Sequence, residues 1–591
     1  MPQVTLTALL LLALATGVVV HAVPASTGQE TASGLRTIEV RVVDSATGRP
    51  IGGAVVRVLA SGHVLERQTG PTGVVVLGPV PVSTAVSVSA SMSGYEQGRY
   101  GQGFPGDSAP LPVEFNGRNW VSVDVRLWRR GVLGGRVLDE RGRPVVDAPV
   151  LAFKETVVGG ESRLVPSAST RTDRYGNYLM EVTPKYRHAV AAVSERAGSA
   201  QGRGRPQAAW PTGSAVFWPG DPRPSGSALL EVREGESRLG LDIVLPKVES
   251  PPLEGQLLAE PCPAALKLEL YPLGAMVVDL PSAMTTAKSD CSFRFEAVPD
   301  GDYELRAIRF AASRVRQTGL GSLAGLRLDR EEAGMTPRVP PPESLETRFV
   351  LHRVSLWGRR QALHVPLERG ASVKGRILFE PEDLAPSEDT FGRDLLLLST
   401  PDTSLFGLPA THVGPSGEFV TAELPPGRYS LQVFPLGNWK GWSVDRIVVN
   451  GRNVLGSQID MGRTAVEGVQ VVMSRQPEAG TLRGIVRTAI GNPARLATVY
   501  VFPMNRRYWN DSQSGPPFRL NSYRTDDRGY FATGRIIPGD YFVVASTSAG
   551  PNWQVLDTLT RWAVSAKSVT VLNRGSHVID LTASDLWALV R

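Results

Sequence analysis

At 591 residues the chain exceeds what one hydrophobic core serves, and a 42% hydrophobic share is ordinary for folded protein, so neither one small domain nor a disordered chain fits. Gly 61 and Pro 46 favour many turns over long helices. The net charge of +6 is mild, and a solvated surface explains it as well as anionic envelope polymers would.

Residues 1–22 carry no charged side chain, and Leu6 to Val20 is almost wholly apolar. Val20-His21-Ala22 suits signal peptidase, so 1–22 is expected to be a signal peptide and the mature chain exported; an uncleaved anchor is the alternative. No later stretch approaches the roughly 20 apolar residues of a membrane helix, so no stable span is expected in the mature chain.

From there the chain reads as strands and turns. Ile38-Glu39-Val40-Arg41-Val42 alternates with period two, runs into the loop Asp44 to Pro50, and resumes at Ala54-Val55-Val56-Arg57-Val58. The same phrase returns at Gly135-Arg136-Val137, followed by Gly142-Arg143-Pro144, and in shorter form at Gly255-Gln256-Leu257, Gly375-Arg376-Ile377 and Gly484-Ile485-Val486. These glycines lie 120, 120 and 109 residues apart, which is repetition on the scale of a domain. A second phrase, Thr172-Asp173-Arg174-Tyr175-Gly176 and Thr525-Asp526-Asp527-Arg528-Gly529, predicts a hairpin, with Asp capping the turn and Gly at positive φ. A third, Pro299-Asp300-Gly301-Asp302-Tyr303, Pro425-Pro426-Gly427-Arg428-Tyr429 and Pro538-Gly539-Asp540-Tyr541, predicts a turn whose buried Tyr bonds back to it. No long amphipathic helix is evident. The expectation is all-β: about five tandem Ig-like or prealbumin-like β-sandwiches at 36–128, 131–247, 252–368, 371–475 and 480–583.

The order Gly-x-Val, Gly-x-Pro, Thr-Asp-x-x-Gly, Pro-Gly-x-Tyr resembles the carboxypeptidase regulatory-like domain of exported bacterial proteins. That resemblance implies a prealbumin-like sandwich, often grouped with the carbohydrate-binding-like fold, and is strongest at 131–247 and 480–583. It fixes no activity, because such sandwiches host unrelated functions.

The family name invites a search for zinc, and His63-Val64-Leu65-Glu66 has the spacing of a ligand pair. On a strand an odd offset puts the two on opposite faces, and no α/β stretch supplies the rest of a site. No Gly-x-Ser-x-Gly elbow occurs, and no cofactor is expected. Arg203-Gly204-Arg205-Pro206 stands alone as a solvated linker, so no nucleic-acid partner is expected. Cys262 and Cys291 are the only cysteines, and export permits a disulfide between them; free buried thiols are the alternative. Trp218, Trp439, Trp442 and Trp509 sit in loops and are the candidate ligand aromatics, since an exposed indole stacks on a sugar ring. The alternative is that each Trp plugs the end of a sandwich or packs between domains.

The leading expectation is a non-catalytic scaffold serving an envelope or extracellular protein or polysaccharide, located in the periplasm, on the outer surface or outside the cell. Carbohydrate binding is the second reading, and peptide or glycan hydrolysis a remote third.

Overall fold

The computed structural model describes residues 36–586 apart from 61–62, 81–85, 106–112, 114, 116–117, 195–213, 222–225, 247–250, 260–261, 264–265, 274–276, 279, 297, 310–314, 318–325, 329–346, 359–361, 383–384, 386–394, 400–410, 415, 435–441, 476–478, 510–518 and 548–551. Residues 1–22 therefore lie outside the described residues. The chain is a multi-domain all-β protein. Five separate sandwich cores run from Ile38 to Leu127, Leu133 to Leu245, Leu253 to Val365, Ala371 to Met473 and Leu482 to Leu581, here called units one to five.

The units share one plan. The opening strand pairs antiparallel with the strand after a tight turn and parallel with the closing strand. In unit one Arg36–Asp44 lies between Val74–Val80 and Trp120–Arg129. In unit five Thr481–Arg487 lies between Tyr530–Ala532 and the closing pair Ser576–Val578 and Leu581–Thr582. Period-two alternation buries one face of each opening strand, as with Ile38, Val40 and Val42.

The repeated phrases have physical reasons. The turn residue before the returning strand has positive φ in every unit: Gly73, Gly176, Cys291, Gly417 and Gly529. Its carbonyl accepts from the opening strand at Val42, Val137, Leu257, Ile377 and Val486, at 2.8–3.0 Å. Unit three places Cys291 where the others use glycine. The Thr of the second phrase is a clamp: Thr172 Oγ1 accepts from Ala148 N at 2.9 Å and donates to Val145 O at 2.7 Å. Thr69 and Thr525 do the same in units one and five. The third phrase forms the expected corner, where the hydroxyls of Tyr303, Tyr429 and Tyr541 donate to the carbonyls of Pro299, Pro425 and Ile537 at 3.0, 2.8 and 2.7 Å.

The opening glycines serve a different need. A Cβ at Gly135, Gly375 or Gly484 would stand 2.3, 2.1 or 2.0 Å from the carbonyl oxygen of Leu241, Val469 or Ile579 in the closing segment of its unit. Only glycine lets the two backbones approach so closely.

A helix the sequence reading did not anticipate, Leu556–Ser565, follows the last long strand of unit five and buries Leu559 and Trp562.

Candidate functional site

The structure gathers its largest aromatic cluster between the sandwiches. Phe104 of unit one and Val157 and Tyr186 of unit two are buried with Tyr500, Phe502, Trp509, Trp553, Leu559 and Trp562 of unit five. Tyr500 sits 5.2 and 4.9 Å from the rings of Trp553 and Trp562. The Tyr186 hydroxyl lies at 3.1 Å from Pro105 O and 3.2 Å from Gln554 Oε1, so one side chain meets three units. The last unit has returned to pack against the first two.

The hub of this packing is the hairpin Pro149–Val158 and Glu161–Arg171 of unit two. Every residue of its first strand is buried, because neighbours cover both faces. Val157 N donates to Gln554 O at 2.9 Å. The tip needs positive φ at Gly159 and Gly160 and wedges between units four and five. Space beside Gly159 is filled by Arg428 and Gln458, and Gly160 N donates to Trp509 O at 3.1 Å. Val277–Val278 of unit three adds a short parallel strand to the hairpin's other edge. Units four and five are also tied by arginines. Arg519 stacks 4.3 Å from the Tyr508 ring and donates to Leu455 O at 2.7 Å, while Arg507 meets Asp460 at 2.7 Å.

These contacts decide where the candidate ligand aromatics stand. Trp509 is fully buried in the inter-unit cluster, and its indole N–H donates to Pro503 O at 2.6 Å. Trp442 is in the unit-four core, edge-on to Phe379 at 4.9 Å, with Arg475 over its ring at 5.2 Å. Trp218 packs partly buried against the unit-two core. The expectation that Trp442 and Trp509 face a ligand is therefore corrected: burial of an apolar ring outweighs its loop position. Trp439 lies outside the described residues. Among the described residues the most exposed indoles are instead Trp357 (62%) and Trp120 (49%), which the sequence reading did not single out. Trp357 Nε1 is 3.3 Å from Asp302 Oδ1 and is held at a strand end.

His63 and Glu66 fall on the strand His63–Gln68, with Glu66 paired to Arg57 at 2.5 Å. Among the described residues no group of three or more His, Cys, Asp or Glu is placed to hold a metal ion, and no helix is long and apolar enough to cross a membrane. Cys262 and Cys291 are joined in the structure, with Cα atoms 5.5 Å apart.

Buried polar groups cluster beside the hub. His188 is fully buried, with Nε2 at 2.8 Å from Thr183 O. Burial pushes its pKa down to about 4; the Thr183 bond opposes this and the Lys154 charge adds to it. An unfolded His with an ordinary pKa of 6.5 binds a proton between pH 6.5 and 4 that the folded His refuses. Stability is thus whole above pH 6.5 and falls as pH drops towards 4, by at most about 3 kcal/mol. Thermal unfolding between pH 7.5 and 4.5 should show this fall, and His188→Gln should flatten it.

Unit one carries a concave surface on its outer face. An open groove of about 530 Å³ is lined by Arg41, Val43, Asp44, Thr72, Asp124 and Arg126, among others.

No protein-family model matches the chain, and no curated protein matches it. Solved structures similar to it include a streptococcal ancillary pilin, 12% identical, covering 57% of this chain and 99% of that one with a TM-score of 0.18. A minor pilin of Streptococcus agalactiae is 10% identical over 36% of this chain and 98% of its own, TM-score 0.20. The Bacillus anthracis TIE protein is 10% identical over 77% and 74%, TM-score 0.14. Likenesses of this extent add nothing about function.

Proposed function

We propose that the chain is an exported, non-catalytic scaffold that holds five sandwiches in one fixed arrangement and presents their outer loops and sheet faces to envelope or extracellular partners. Its divisions follow 36–128, 131–247, 252–368, 371–475 and 480–583, with carboxypeptidase regulatory-like modules at the second and fifth. The reading is carried by the inter-unit cluster around Tyr186, Trp509 and Trp553. Tandem sandwiches joined only by linkers keep their aromatic side chains within each core, whereas this chain buries three indoles where the last unit meets the first two. Such packing fixes relative positions, which is what a multi-point binding platform requires. The Cys262–Cys291 bridge belongs to the same proposal, as a staple within unit three.

Small-angle scattering tests the arrangement. Five sandwiches of about 110 residues set end to end make a rod with a radius of gyration of roughly 50 Å. The scaffold reading requires a value well short of that.

A further inference from the structure

The groove on unit one is built from a strand ladder. Arg41 and Val43 of the opening strand stand beside Asp124 and Arg126 of the parallel closing strand, and Arg41 pairs with Val74 on its other side. Alternation sends Val40, Val42, Val123 and Val125 into the core, which leaves this set on the outer face. The loop residues Ser45, Gly48, Pro50 and Thr72 complete the wall. A volume of about 530 Å³ falls in the usual range for a small-ligand site.

Its charges are unevenly matched. Asp44 is already held by Thr47 and by Arg129 at 2.7 Å. Among the described residues the guanidiniums of Arg41 and Arg126 take part in no hydrogen bond. Asp124 is the carboxylate whose charge reaches Arg126, while partial burial holds that guanidinium below its ordinary value. Arg524 of unit five adds a further cation within electrostatic reach of Arg126. Burial and that neighbouring charge push it down to about 10, and its buried Nε has no hydrogen-bond partner. Arg41 and Arg126 thus flank one carboxylate, with the Arg524 charge nearby adding to the positive side.

We propose that this groove binds an acidic sugar, a hexuronate residue of an anionic polysaccharide. The planar forks of Arg41 and Arg126 match a carboxylate, which accepts two parallel N–H donors. Val43, Val74 and Pro50 supply an apolar surface for the C–H face of a pyranose ring. Asp124 and Thr72 are placed to meet ring hydroxyls, the carboxylate accepting and the hydroxyl doing either. The apolar wall separates this ligand from a bare phosphate or sulfate, which gains nothing from it. The assignment stands on the groove itself and does not depend on the scaffold reading.

The test is calorimetric titration of the full chain with trigalacturonate at low salt, alongside maltotriose and inorganic phosphate. Trigalacturonate should bind at least about tenfold more tightly than either. Arg41→Gln and Arg126→Gln should each weaken it by about tenfold or more, the usual loss for a charged hydrogen bond. Asp124→Asn, which removes a repelling charge but keeps an acceptor for ring hydroxyls, should tighten phosphate at least as much as trigalacturonate. Arg41 is exposed, so its variant keeps the fold and the comparison stands even if Arg126→Gln disturbs the junction with unit five. Absence of trigalacturonate binding, or binding unchanged in Arg41→Gln, overturns the proposal. Phosphate binding as tight as trigalacturonate overturns the sugar assignment and leaves a simple oxyanion site.

Discussion

Trp553→Ala should destabilise unit five by about 3–5 kcal/mol and loosen its hold on units one and two. The side chain is fully buried, packs on Tyr500 at 5.2 Å and belongs to the cluster shared by three units. Its neighbour Gln554 carries the contacts to Val157 N and the Tyr186 hydroxyl, so collapse around the vacated indole disturbs the docking segment itself. The unfolding transition that includes unit five should fall by more than about 10 °C, while a transition confined to unit three stays in place. Differential scanning calorimetry of variant and parent reads both. Trp553→Phe, which keeps most of the ring volume, should recover much of the loss. An unchanged thermogram for the alanine variant would mean that this cluster contributes little to holding the units together.

Gly484→Ala should be comparably severe for the opposite reason. The added methyl would sit 2.0 Å from Ile579 O and 2.7 Å from the carbon of that carbonyl, where two backbones meet. No side-chain rotation relieves such a clash, so the closing strand must move or unpair. Overpacking usually costs about 1–3 kcal/mol, and a backbone clash this close belongs at the upper end or beyond. Gly462→Ala is the control, since nothing lies within 4 Å of its Cβ position, and it should change stability by less than about 0.5 kcal/mol. Equilibrium denaturation of both variants separates loss of close approach from a general intolerance of alanine.

These two sites also mark how far the sequence could be read. The opening glycines, the Asp-capped turns and the tyrosine corners are local devices, and each requires particular residue types at short spacing. That is why a period of roughly 110 to 120 residues and an all-β fold are visible without coordinates. The roles of Thr69, Thr172 and Thr525 as buried clamps are repeated too, but a threonine beside a turn carries no sign of what it bonds.

Packing between units left a weaker trace. The strand Pro149–Val158 shows no alternation because both its faces are covered, and it buries Lys154, Glu155 and Thr156. A continuous run of that kind was a signal that something packs on each side, though not which unit. The helix Leu556–Ser565 spaces Leu556, Leu559 and Trp562 three apart, a pattern short enough to pass for loop. The Trp residues misled for a related reason. A loop position says that the backbone is irregular, whereas the indole's direction depends on which neighbour offers a pocket. The closeness of Arg126 and Arg524 was not legible, because it arises only when the fifth sandwich meets the first.

The account stands on the return of unit five to units one and two, and scattering from the full chain in dilute solution tests it most directly. The closed arrangement predicts a radius of gyration well short of roughly 50 Å, with the same value across the concentration series. A value near 50 Å, or a profile showing units that move independently, would contradict it and leave a string of separate sandwiches.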